Sequence, residues 1–278
     1  MKIGMNLLLW TAKVTEAHDA LLTDLKNTGY DGVEVPVFEG SSDEYKSLGR
    51  KLHDLGLGST AVTVMAPEAS PISPDAKIRQ AAVDRLQWVL DRCAEFGAEV
   101  LCGPLHSPLG VFSGTAPTRD ERLRGIETFQ QVAPLAQERG VTLAIEYLNR
   151  FENYFLTTAA DTVQWVGEIN HPACGMMWDT FHAHIEEKSV APLADCARHL
   201  VHVHLSENDR GTPGTGQVNW ADTFSTLKRL KYDRWLVIEA FGRALPDLAA
   251  ATRVWRDLFV APEDVYRDGL TFIRDSLR

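Results

Sequence analysis

Val141 to Ile145, five apolar or β-branched residues, run straight into a carboxylate, Glu146. A second acid, Glu152, follows six residues later, after Asn149 and Arg150. Burying an unpaired carboxylate is costly, so a buried strand that ends in an acid marks a site. The design recurs three times downstream. G-M-M-W-D-T-F-H carries Asp179 and His182, V-H-V-H-L-S-E-N-D-R carries His204 and Arg210, and W-L-V-I-E-A-F-G carries Glu239. Glu146, Asp179, His204 and Glu239 lie 33, 25 and 35 residues apart, each about one strand–helix unit. Three carboxylates that converge without a cation repel and force up at least one pKa. A divalent metal resolves the conflict. An oxygen-rich set with one imidazole suits Mn²⁺ or Mg²⁺, with Co²⁺ or Zn²⁺ as alternatives.

The elements that must position these residues are legible as an alternation. Strand patterns fall at 2–9, 32–38, 59–65, 99–105, 141–148, 175–181, 200–205 and 235–240. Helical patterns fall at 16–28, 42–55, 75–96, 118–139, 158–169, 190–198, 221–230, 245–258 and 262–277. Alternating strands and helices imply parallel βαβ units, and eight of them in this length predict a closed (β/α)₈ TIM barrel. No linker or composition shift divides the chain, so residues 1–278 read as one domain. The active site of such a barrel sits at the C-terminal ends of the strands, where all four candidate ligands fall.

Each residue also has a plainer use. A lone acid at a strand end serves as a helix N-cap or an ion-pair partner. His202 and His204 alternate with Val201 and Val203, so both can face the interior, and one can be a core histidine. His204 is preferred as ligand because it is nearer the strand's end. On the same reasoning His182 is expected at the site and His184 on the loop. The loop H-S-P-L-G-V-F-S-G-T-A-P-T after strand four reads as a lid or pocket wall. Trp10, Met65, His106 and Phe112 are weaker candidates for that wall.

A net charge of −10 argues against nucleic-acid phosphate as a partner. The four cysteines form no C-x-x-C pair and no framework, which favours reduced thiols and a cytoplasmic setting. The apolar N-terminus, M-K-I-G-M-N-L-L-L-W, reads as a first strand rather than a signal peptide. No run has the length of a membrane span, so no membrane partner is expected.

The second half of the chain, with E-Y-L-N-R-F-E-N-Y-F-L-T-T, W-D-T-F-H, H-x-H-x-x-E-N-D-R-x-x-P-G-x-G and V-I-E-x-F, resembles the sugar isomerase/epimerase superfamily of xylose-isomerase-like barrels. It is most similar to the D-tagatose 3-epimerase / D-psicose (allulose) 3-epimerase group of ketose 3-epimerases. The resemblance implies that Glu146, Asp179, His204 and Glu239 bind one divalent metal, Mn²⁺ first and Mg²⁺ or Co²⁺ next. It implies that Glu152, His182 and Arg210 hold the oxygens of a ketose, and that the protein is a homo-dimer or homo-tetramer. The G-T-P-G-T-G loop lacks the strand–Gly-rich loop–helix fingerprint of a phosphate cradle and reads as a turn that presents Arg210, which favours an unphosphorylated substrate. The first half departs more: G-M-N-L-L-L-W and G-P-L-H-S-P-L-G stand where the family is more aromatic. Inversion at C3 needs a base on each face of a planar enediolate. Glu146 and Glu239, from strands five and eight, suit that pair.

Rival readings use the same barrel. A hydroxypyruvate-isomerase-like aldose–ketose isomerase would move the proton between C1 and C2. An inosose dehydratase would expel water. A DNA-repair endonuclease would need more histidines and a basic groove. A sugar-binding protein would have no rate to lose with either glutamate.

Overall fold

The computed structural model describes all 278 residues, Met1–Arg278. Eight parallel strands pair in chain order, and the last pairs with the first to close a barrel. They are β1 (Lys2–Asn6), β2 (Gly32–Pro36), β3 (Gly58–Val62), β4 (Val100–Gly103), β5 (Thr142–Glu146), β6 (Cys174–Asp179), β7 (Leu200–Leu205) and β8 (Trp235–Ile238). The main outer helices are α1 (Asp19–Thr28), α2 (Ser42–Leu55), α3 (Ala76–Phe96), α4 (Arg119–Glu138) and α5 (Ala159–Ile169). The second half adds α6 (Thr180–Glu186), α7 (Pro192–Asp195), α8 (Trp220–Arg229), α9 (Pro246–Thr252) and α10 (Gly269–Leu277). No helix is long and apolar enough to cross a membrane.

Local chemistry sets the helix ends. α2 opens on a capping box in which Ser41 Oγ accepts from the Glu44 amide and the Glu44 carboxylate accepts from the Ser41 amide. Thr118 and Glu121 do the same for α4. Such boxes satisfy donors that a helix N-terminus otherwise leaves free.

The barrel interior is filled, not hollow. Trp235 lies across its N-terminal end. A Cβ on Gly32 would sit 2.5 Å from that indole and 2.3 Å from the Gly58 carbonyl. Glycine there is what lets one ring close the floor. Above it Val62, Val100, Cys102, Ala144, Met177 and Val237 form an inner apolar cluster, separate from the larger core between strands and helices. Closing the floor with apolar side chains confines solvent access to the opposite, C-terminal mouth.

Several strands end earlier than their hydrophobic patterns. β1 stops at Asn6, whose side chain accepts from the Leu8 amide and starts a 3₁₀ turn, Leu7–Leu9. β3 stops at Val62 rather than Met65. The helix expected at 190–198 is one turn, α7, while an unexpected helix, α6, starts directly from the last residue of β6. The pattern at 245–258 shortens to α9, and that at 262–277 becomes a π-turn, Asp264–Asp268, followed by α10.

Candidate active site

Glu146 and Asp179 end β5 and β6, His204 is the penultimate residue of β7, and Glu239 directly follows β8. One ligand atom from each falls within 4.8 Å of the other three. All four side chains are buried. His204 Nδ1 lies 3.3 Å from Glu239 Oε1, 3.7 Å from Asp179 Oδ2 and 3.9 Å from Glu146 Oε1. That nitrogen is buried and has no hydrogen-bond partner in the protein. An orphaned imidazole nitrogen among three carboxylates fits a divalent cation, and the cluster could hold one.

Asp179 has two jobs. Its Oδ1 accepts from the Phe181 amide and caps α6, while Oδ2 faces the cluster. The plain N-cap use of a strand-end acid and the ligand geometry therefore coexist in one residue. Burial would raise the Asp179 pKa, but Arg210, His204 and His182 outweigh it and hold the carboxyl well below its usual range. Glu146 differs. Burial, then Glu239, pushes its pKa well above the carboxylate range. His204 loses to burial but gains more from Glu34 and Glu239, and its pKa rises well above normal.

The three residues expected to hold substrate surround the cluster. Glu152, His182 and Arg210 line the same cavity as Glu146 and Glu239, a space of about 350 Å³ at the mouth of the barrel. That size is in the range of small-molecule sites. His182 Nδ1 accepts from the Asn149 backbone amide at 3.0 Å, which leaves the ring proton on Nε2. Burial depresses the His182 pKa to about 3, so the ring is neutral near pH 7. Its Nε2 lies 3.1 Å from Arg210 Nη2. With the proton on Nε2 neither group can accept from the other, so two donors stand side by side on the cavity wall, an arrangement that an acceptor oxygen would satisfy. Glu152 Oε1 accepts from Asn149 Nδ2 at 2.9 Å.

Arg210 is buried rather than a surface partner of Glu207 or Asp209. Its Nη1 donates to Glu239 Oε2 at 2.7 Å and to Asp179 Oδ2 at 3.3 Å. The guanidinium carbon sits 3.7 Å from the Phe181 ring centroid and 4.8 Å from that of Phe241. Glu207 instead collects the amides of Asn208, Gly214 and Val218 and the indole of Trp220, which pins the G-T-P-G-T-G turn beside Arg210.

The expected pocket wall is corrected. None of Trp10, Met65, His106 and Phe112 lines the cavity. Trp10 packs on Tyr266, Met65 is core, His106 is buried against Phe155, and Phe112 is exposed on its loop. Leu8, Phe38, Val62, Val64, Pro104 and Leu109 take their place, with Phe241 and Leu248 opposite. Because β1 and β3 end early, Leu8 and Val64 rather than Trp10 and Met65 reach the mouth. Of the loop after β4, Pro104 and Leu109 are wall, while the residues from Gly110 to Thr118 are exposed.

One buried acid beside the site was missed by the sequence reading. Glu34, on β2, is fully buried and contacts His202 and His204. The signal was present in G-V-E-V-P: a charged residue in mid-strand must find partners inside the barrel. His202 is the core histidine of its strand, with Nε2 on Glu34 Oε2 at 2.9 Å. All four cysteines are free and buried.

Comparison with known proteins fits this geometry. The sequence matches the xylose isomerase-like TIM barrel family over residues 22–276. It is 30% identical over 281 residues to a ketose 3-epimerase of Arthrobacter globiformis, covering 100% of this chain and 97% of that protein. A D-psicose 3-epimerase of Agrobacterium fabrum is 29% identical over 263 residues, covering 93% of this chain and 91% of the relative. The crystal structure of a Methylomonas sp. D-allulose 3-epimerase in complex with D-allulose superposes with a TM-score of 0.93 at 25% identity, over 99% of this chain and 97% of that one. The chain belongs to the xylose isomerase-like TIM barrel family and, within it, to the ketose 3-epimerases, enzymes of the isomerase class.

Proposed function

We propose that this protein is a metal-dependent ketose 3-epimerase that interconverts free ketohexoses or ketopentoses at C3 through an enediolate. The observation that carries the reading is the convergence of Glu146, Asp179, His204 and Glu239 at a cavity that Glu152, His182 and Arg210 also line. A divalent ion held by those four residues, Mn²⁺ first and Mg²⁺ or Co²⁺ next, would supply positive charge where the enediolate develops its negative charge. Glu146 and Glu239 reach the cavity from β5 and from the end of β8, three strands apart. One removes the C3 proton and the other returns a proton to the opposite face. Asp179 and His204 serve as ligands only. Neutral His182 donates from Nε2 and Arg210 from its guanidinium to ketose oxygens, and Glu152 accepts from a hydroxyl. The same reading makes the protein a cytoplasmic homo-dimer or homo-tetramer, by analogy with its relatives.

The test is isotopic. Chelator-stripped protein, reloaded with Mn²⁺, is incubated in D₂O with fructose, psicose, tagatose, sorbose, ribulose and xylulose, and proton NMR follows the products. Metal-dependent deuterium at C3 together with the C3 epimer is the expected result. Exchange at C1 or C2 with an aldose product would overturn it in favour of aldose–ketose isomerisation, and loss of water from an inosose would do so in favour of dehydration.

A further inference from the structure

Beneath the four candidate ligands lies a second polar layer that the proposed reaction does not use. Its centre is Glu34. One carboxylate there faces five donors: Asn6 Nδ2 at 2.9 Å, Thr60 Oγ1 at 2.9 Å, Cys102 Sγ at 3.1 Å, His202 Nε2 at 2.9 Å and His204 Nε2 at 2.7 Å. A carboxylate offers about four lone-pair directions, so this one is saturated and its orientation is fixed. Glu34, Cys102, His202 and His204 also have the residue types of a soft-metal site. As placed, however, these groups bond to one another rather than standing spaced around an ion. Two ligands on one tetrahedral ion, each bonded at about 2.0–2.3 Å, stand about 3.3–3.7 Å apart, whereas the donors here approach the Glu34 oxygens to 2.7–3.1 Å. These are hydrogen bonds.

We propose that Glu34 is a positioning residue for the metal centre: Oε1 accepts a hydrogen bond from His204 Nε2–H, so that the Nδ1 lone pair faces Glu146, Asp179 and Glu239. An imidazole has one acceptor nitrogen when neutral, and the partner on its far side decides which one that is. Glu34 decides it for His204. The same carboxylate reaches a second ligand. Asn6 Nδ2 donates to Glu34 Oε1 at 2.9 Å and to Glu239 Oε1 at 3.2 Å, so one amide ties both acids together. A ligand from β7 and a ligand that follows β8 are thereby oriented from a single anion on β2. Partners of this kind are worth about 10–100-fold in metal affinity.

The inference rests on the metal reading of the site, and its test separates the two. Chelator-stripped wild-type protein, E34Q, E34D and T60V are titrated with Mn²⁺ while EPR follows the free ion, and far-UV circular dichroism of the metal-free proteins checks the fold. A glutamine offers its amide NH₂ on one side, cannot accept from both histidines, and carries no charge to favour the Nε2–H tautomer of His204. E34Q is expected to bind Mn²⁺ about 10–100-fold more weakly, E34D to recover part of the loss, and T60V, which removes only a donor to Oε2, to stay within about threefold of wild type. The visible spectrum of the Co²⁺ form should change in E34Q and not in T60V. A folded E34Q that binds Mn²⁺ as wild type does would overturn the proposal while leaving the metal reading intact. Wild-type protein that binds no Mn²⁺ would overturn both. Should E34Q not fold, long-range ¹H–¹⁵N NMR of the wild-type protein loaded with diamagnetic Zn²⁺ decides. A proton on His204 Nε2 is expected, and a proton on Nδ1 would overturn the proposal.

Discussion

Glu146 and Glu239 flank the same histidine but carry different burdens. Glu239 is held on both oxygens, Oε1 by Asn6 and Oε2 by Arg210 at 2.7 Å. Glu146 accepts no side-chain hydrogen bond; its nearest basic group is His182 Nε2 at 3.6 Å. Removing one partner of a buried ion pair strands the other, whereas neutralising a buried, uncompensated charge relieves the protein. In chelator, E146Q should therefore unfold at higher urea than wild type, by about 1 kcal/mol, and E239Q at lower urea, by roughly 1–3 kcal/mol. Equal shifts in the same direction would refute this asymmetry. Both variants should lose C3 exchange by about 10²-fold or more, the usual worth of a positioned acid or base. His106 supplies a separate prediction. Burial depresses its pKa to about 3, against about 6.5 in the unfolded chain. The unfolded state binds the extra proton between those values, so stability is full above about pH 6.5 and falls as pH drops toward 3. H106N should flatten that acid slope by up to about 1.4 kcal/mol per pH unit, read from urea midpoints between pH 6.5 and 4. An unchanged slope would mean that His106 does not carry it.

At the level of elements, α6 shows how a ligand and a helix share one residue. β6 runs into α6 with no loop, and Asp179 supplies both the cap and a carboxylate oxygen to the cluster. D179N keeps an oxygen for the Phe181 amide but loses the charge; D179A loses both. Mn²⁺ binding should be lost in both variants. Only D179A should also show a metal-free stability loss from the cap, about 1 kcal/mol below D179N. Equal metal-free midpoints would remove the capping role. The same element marks the limit of sequence reading. The eight strands were legible because each apolar run is bounded by glycine or polar residues, and their order put four acids and histidines at one end. Their ends were not legible, because Leu7 to Leu9 and Thr63 to Met65 continue an apolar pattern after the ladder has stopped. Hydrophobicity reports burial, and these residues are largely buried, Leu7 to Leu9 in a 3₁₀ turn and Thr63 to Met65 outside the named strand. The pocket wall was illegible for that reason. Glu34 was illegible for another: it sits in mid-strand, and its partners come from β1, β3, β4 and β7, which no local window joins.

Across the whole molecule, the mouth of the barrel gathers charge that the fold alone does not balance. Glu146, Glu152, Asp179 and Glu239 are all buried around one guanidinium, that of Arg210. Burial and carboxylate neighbours raise the pKa of both Glu146 and Glu152. A cation bound there would link β5, β6, β7 and the end of β8, residues that span nearly a hundred positions of sequence. Any ligand of the native state that the unfolded chain does not bind raises stability by mass action. At a free Mn²⁺ concentration one hundred times its dissociation constant, the gain is about 2.7 kcal/mol. For a chain of this size that corresponds to roughly 5 °C or more in melting temperature. Calorimetry of wild-type protein with Mn²⁺ and with chelator should show that rise, growing with the logarithm of free ion. D179N should show none of it, which separates the site from ions bound loosely on an acidic surface. A melting temperature indifferent to Mn²⁺ in wild type, at concentrations where EPR registers binding, would mean that the ion does not tie the strands together and that hydrogen bonds to Arg210 and Glu34 hold the mouth by themselves.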